Sequence, residues 1–142
     1  MMRLVAAAVT LPVVEAQPAA VLFADLTGFE ALTEARGDSA AADVATRFAR
    51  LARACLPVGS RLLKTLGDGV LILAPDLASA RTAAERLREL VQQDPTLPPV
   101  RAGICEGSVV WRDDDVFGAT VNRAARCADA AAPWEILTAA HS

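Results

Sequence analysis

Two aspartates stand where the chain has least reason to place a charge. Asp25 closes an apolar run at 20–24 and is followed at once by Leu26-Thr27-Gly28-Phe29. Asp68 sits between Gly67 and Gly69, in the bend of the stretch LLKTLGDGVLIL at 62–73. Carboxylates that converge at a strand end hold hard cations. Mg²⁺ takes one or two of them and completes its octahedron with phosphate oxygens and water. The residues after Asp25 read as the opening of a helix, whose unfilled N–H groups and positive dipole end suit phosphate. Gly28 allows close backbone approach there. Acidic metal ligands beside an anion cradle suggest a nucleoside triphosphate. Asp68 taken alone is an ordinary turn aspartate. Asp25 is harder to dismiss, because an unpaired carboxylate among apolar residues is costly.

A second cluster lies in DDDVFGATVNRAARC at 113–127. Asn122 and Arg126 are four apart on an expected helix, hence on one face. An amide can orient a sugar, and a guanidinium can grip a phosphate through two parallel hydrogen bonds. The plainer reading of that pair is a solvated polar face.

The elements that must position these residues follow from pattern. The run at 20–24 reads as a buried strand. Val44, Phe48, Leu51 and Cys55 form one helical stripe, ended by Pro57 and Gly59. Arg36-Gly37-Asp38 reads as a helix break with an N-cap. Gly67-Asp68-Gly69 supplies hairpin turn chemistry between two apolar runs. Asp76 caps a second long helix with Leu77, Ala80, Ala84, Leu87 and Val91 inward. VRAGICEGSVVW at 100–111 is a strand, with Gly107 marking a bend. A loop then enters a short helix with Val121, Ala125 and Ala128 inward, and EILTA at 135–139 is a last short strand. Strand, helix, hairpin, helix, strand is the split βαβ order of a ferredoxin-like α/β (α+β) sheet. The expected architecture is a βαββαβ palm with an antiparallel or mixed sheet and helices on one face. Right-handed crossovers set the third strand beside the first and antiparallel to it. Asp25 and Asp68 should therefore meet at one edge of the sheet.

Composition excludes several functions. The chain has 142 residues, a natural length for one core. Its net charge of -3 gives no basic field for a nucleic acid polymer, and 4% aromatics leave no base-stacking surface. Cys55, Cys105 and Cys127 are an odd number without a CxxC pair, which fits reduced thiols and a cytoplasmic protein. The one histidine, His141, is near the end, so chemistry built on a central histidine base is not expected. No segment has the ~18 uninterrupted apolar residues of a membrane span. The opening MMRLVAAAVTLPVVEAQPAA faintly resembles a secretory signal, but reads better as a leader or edge segment. The expected organisation is that segment at 1–19 and one domain at 20–142.

Four ordered pieces together resemble the class III nucleotidyl cyclase catalytic domain, the adenylate and guanylate cyclase family. They are FADLTGF at 23–29, KTLGDG at 64–69, VRAGICEGSVV at 100–110 and DVFGATVNRAAR at 115–126. The resemblance implies a dimer with active sites at the subunit interface. It implies two Mg²⁺ or Mn²⁺ ions on Asp25 and Asp68, with the backbone of Leu26 contributing. Thr27, Gly28 and Phe29 would cradle phosphate, Asn122 would orient the ribose, and Arg126 would stabilise charge on the α-phosphate. Lys64 and Asp115 would read the base, supplied by the protomer opposite the metal aspartates.

The chemistry fits these roles. The ribose 3′-hydroxyl attacks the α-phosphorus in line and pyrophosphate leaves. One metal lowers the hydroxyl pKa while the other neutralises the leaving phosphates. Positioning and charge supply the rest, so no side-chain base is required. In an extended strand Lys64 lies about 13 Å from Asp68, too far for one compact site to use both. Sharing across a two-fold axis removes that difficulty. Lysine donates and aspartate accepts, which matches adenine N1 and N6; guanine inverts the pattern. ATP and a homodimeric adenylate cyclase are therefore expected, with guanylate cyclase or a catalytically weak regulatory module as alternatives. The second alternative arises because the chain stops soon after EILTA, before the lysine with which relatives bind the outer phosphates; its C-terminal elements read as truncated. Cys105 stands where many relatives have histidine, and Trp134 where glycine often follows Pro133; both read as packing variations.

Overall fold

The computed structural model describes residues 16–139. The opening segment through residue 15 and the terminal His141 lie outside it. The chain runs β1 (Ala16–Leu26), α1 (Phe29–Arg36), α2 (Asp38–Ala54), β2 (Arg61–Leu66), β3 (Gly69–Ala74), α3 (Leu77–Gln92), β4 (Val100–Arg112), β5 (Asp115–Phe117), α4 (Ala119–Ala130) and β6 (Ile136–Thr138). The sheet order is β2-β3-β1-β4-β5, with β6 also paired to β4. β3 lies antiparallel beside β1, as the split βαβ order requires. β6 pairs parallel to β4, so the sheet is mixed. The outer edge of β4 is shared, β6 along Ala102–Ile104 and β5 along Val110–Arg112.

β1 is buried along most of its length because both faces of the sheet are covered. Leu22, Ile72 and Ile104 face α2 and α3, where Phe48, Leu87 and Val91 close a core. Val21, Leu71, Cys105 and Val109 face the other way, against Ala124 of α4. The expectation of helices on one face holds for α1 to α3 and is corrected for α4, which lies opposite. The strands carried that information: central strands apolar at every position need cover on both sides.

Other expectations are refined by the same packing. The first strand extends beyond 20–24, because ladder pairing to β4 begins at Ala16. The helix break falls at Gly37, but Gly37 itself is the N-cap and Asp38 is the first helical residue. The inward row of α4 is Thr120, Ala124 and Ala128, with Val121 and Ala125 only half-buried. Pairing of β1 and β4 passes through Gly107 without a shift, so that glycine marks no interruption of the ladder. It makes room for α4 instead, since a Cβ there would lie 2.5 Å from Thr120 Oγ1. β5 was not expected at all. Asp113 and Asp114 both take positive φ (53° and 62°), a two-residue turn of the primed kind that Asp tolerates.

All three thiols are free, and burial pushes the Cys55 thiol up to about 11. Trp134 takes φ 71°, the left-handed backbone a glycine adopts without strain, while its ring packs on the α2/α3 core. It is thus more than a packing variation. Among the described residues no helix is long and apolar enough to cross a membrane.

Asp76 caps α3 by accepting from the Ser79 N–H at 2.8 Å. Hydrogen bonds from Ser79 hold its carboxyl below the ordinary 3.8. A depressed folded value means the cap stabilises above pH 3.8 and fades as pH falls through the lower folded value. Asp76→Ala should lower the thermal midpoint at neutral pH, and that difference should close in acid. Melts of both proteins across pH check it.

Candidate active site

The hairpin turn and the end of β1 are joined by backbone. Asp25 pairs with Gly69, and the Leu26 N–H donates to the Asp68 carbonyl at 3.3 Å. A Cβ at Gly69 would lie 3.3 Å from both the Ala24 carbonyl oxygen and the Asp25 Cβ, so its missing side chain lets the strands close beside the aspartates. Asp25 and Asp68 are both half-buried and line one cleft of about 380 Å³ with Leu26, Thr27, Gly28 and Phe29. Burial first, and then the Asp25 charge, push the Asp68 carboxyl above its ordinary value; its backbone N–H and Arg101 oppose that shift.

The N-terminus of α1 opens into this cleft. Gly28 takes φ 72° and no side chain caps the helix. Nothing lies within 4 Å of where its Cβ would be, which leaves a clear approach. Thr27 contributes shape rather than donors, since its N–H and hydroxyl both donate to the Pro99 carbonyl at 2.7 and 3.0 Å. Among the described residues no group of three or more His, Cys, Asp or Glu is placed to hold a metal. Two carboxylates beside an uncapped helix end suit a hard cation that arrives with phosphate, and fit a thiolate- or imidazole-bound metal poorly.

The other expected residues lie elsewhere on the same protomer. Lys64 Nζ donates to Asp115 Oδ2 at 3.0 Å. β2 and β5 are opposite ends of the strand order, so this pair reaches across the curled sheet. A register shift between Leu62 and Lys64 sets Lys64 opposite Leu71, on the α4 side. Without that bulge, alternation would send Lys64 to the other face. The hydrogen bond from Lys64, and then the Val116 N–H, hold the Asp115 carboxyl below its ordinary value. Asn122 and Arg126 are exposed one turn apart on α4. Neither lines the acidic cleft, although Ala125 and Asp129 of the same helix border a smaller cavity with Asp25 and Asp68.

Arg101 was missed. It pairs directly with Asp25 across β1 and β4, and its Nε donates to Asp25 Oδ1 at 2.8 Å. The sequence offered only VRAG; the β1–β4 register was needed to see what the arginine faces.

The split βαβ palm thus carries two aspartates at its strand–hairpin junction and an open helix end in one cleft, an arrangement with the chemistry for a hard cation that arrives with phosphate. No family model matches the chain. It is 43% identical over 107 residues to an adenylate cyclase of Streptomyces griseus, covering 75% of this chain and 27% of that protein. It is 37% identical over 128 residues to a pH-sensitive adenylate cyclase of Mycobacterium tuberculosis, covering 90% and 32%. The guanylyl cyclase domain of the RhoGC fusion protein from Blastocladiella emersonii superposes with a TM-score of 0.77 at 21% identity, covering 87% of this chain and 84% of that one. The chain belongs to the class III nucleotidyl cyclase catalytic domain family. It spans about a third or less of the length of these two curated relatives.

Proposed function

We propose that this domain forms half of an adenylate cyclase, making 3′,5′-cyclic AMP and pyrophosphate from ATP at sites shared between two copies. One observation carries the reading: Asp25 and Asp68 share a cleft at an open helix end, while Lys64, Asp115, Asn122 and Arg126 do not line it. A second copy is the natural source of the missing groups. Two Mg²⁺ or Mn²⁺ ions held by Asp25, Asp68 and the Leu26 backbone would neutralise the triphosphate and acidify the ribose 3′-hydroxyl. The N–H groups of Gly28 and Phe29 hold phosphate oxygens at the start of α1. From the partner, Asn122 orients the ribose and Arg126 meets charge growing on the α-phosphate as the 3′-oxygen bonds to phosphorus and pyrophosphate departs. Lys64 donates to adenine N1, and Asp115 accepts from N6. The names of the curated relatives support this choice of substrate.

The test is cyclic AMP formation from Mn-ATP by the purified chain, with GTP in parallel. Activity on ATP that depends on Asp25 supports the reading; ATP binding without a cyclic product refutes it. The base assignment has its own check. Lys64→Glu combined with Asp115→Cys replaces the donor and removes the fixed acceptor. The ATP rate should fall about tenfold or more, with preference moving toward GTP, since a hydrogen bond to a charged group is worth about 1.5–3 kcal/mol. An unchanged ATP:GTP ratio would locate base reading elsewhere.

A further inference from the structure

The acidic cleft already holds a cation of its own. Arg101 Nε donates to Asp25 Oδ1 at 2.8 Å, and both side chains are 27% exposed. The guanidinium has a second anchor on α4: Nη1 donates to the Asp129 carbonyl at 3.0 Å, and Nη2 lies 3.8 Å from Asp129 Oδ1. Arg101 is thus strung between a proposed metal ligand and the end of the helix that carries Asn122 and Arg126. A guanidinium does not release its proton, so its charge cannot be removed by the site. Any divalent ion arriving at Asp25 meets that fixed positive charge a few ångströms away, and the two repel.

We propose that Arg101 is a positioning residue that occupies Asp25 in the metal-free domain and competes with the incoming divalent ion. This rests on the metal assignment made above. Asp129 gives the guanidinium a partner to keep when Asp25 turns to the metal. A nucleotide triphosphate brings the negative charge that lets Arg101 and the metal coexist, so cation and nucleotide enter together. The arrangement disfavours a cleft loaded with metal alone.

The experiment is Mn²⁺ binding by electron paramagnetic resonance, with and without a non-reactive ATP analogue. The whole chain is compared with its Arg101→Gln, Arg101→Lys and Asp25→Asn variants. Without nucleotide, Arg101→Gln should bind Mn²⁺ about tenfold tighter, because a like charge has been removed. Arg101→Lys should stay near the parent, and the analogue should narrow the gap. A purely structural role for Arg101 would leave affinity unchanged or weaken it, and either result in folded Arg101→Gln overturns the proposal. A measurement on the unsubstituted chain stands beside it: the Arg101 Nε–H resonance should shift as Mg²⁺ fills the cleft, and a resonance that stays put refutes the displacement. If Asp25→Asn leaves Mn²⁺ binding unaltered, the metal assignment itself fails, and this inference with it. If Asp25 matters but Arg101 does not, the inference alone falls.

Discussion

Asp25→Ala and Arg126→Ala subunits, each inactive alone, should recover about a quarter of the parental cyclase activity when mixed in equal amounts. Random pairing makes half the dimers mixed, and each mixed dimer keeps one intact site of two. Each variant by itself should lose at least about a hundredfold, the scale of removing one preorganised charge from a phosphoryl transition state. The geometry behind this is that Arg126, exposed on α4, does not line the cleft of Asp25 in its own protomer. Mixing Asp25→Ala with Asp68→Ala is the control. Both aspartates belong to one protomer's cleft, so every site in that mixture lacks a carboxylate and no activity should return. Failure of the first mixture, with heterodimers verified by co-purification of two tags, would end the shared-site reading.

Gly103→Ala should destabilise the fold by about 3 kcal/mol or more, the upper end of overpacking costs. That is a large share of a domain's usual 5–15 kcal/mol. The added methyl would run into the backbone of α4 at Ala124 and Ala128, and backbone cannot turn aside as a side chain can. Gly107→Ala should cost less. Its methyl meets the Thr120 hydroxyl, which can give way at the expense of its 2.8 Å hydrogen bond to the Ser108 carbonyl. Urea denaturation of the three proteins orders them. A Gly103→Ala change within about 0.5 kcal/mol would mean that α4 is not seated on β4 as described.

Gly103 also shows where reading the chain stopped. Local signals identified the hairpin, the Asp76 cap and the α2 and α3 stripes, because each is written within a single turn or helix, and the succession of those elements spelled out the split βαβ order. The meeting of Asp25 with Asp68 followed from the split βαβ order together with crossover handedness. The side on which α4 packs depends on Gly103 and Gly107 facing the same way, two positions that no helical or strand period singles out. Arg101 was silent for a similar reason: its meaning lies in the residue opposite it, 76 positions away. Lys64 needed the bulge after Leu62, which shifts its face and leaves no mark in composition. Trp134 departs from local preference, its large side chain held at a backbone angle that suits glycine.

On the base assignment proposed above, the bond between Lys64 and Asp115 makes nucleobase capture an exchange. The two side chains satisfy each other within the domain, at a spot open enough to water for that grip to be loose. A purine with an acceptor and a donor in the right order replaces one bond with two. A purine with the order reversed strands both charges against groups of like kind. On that assignment, discrimination would come less from how well the correct base is held than from what the wrong one forces apart.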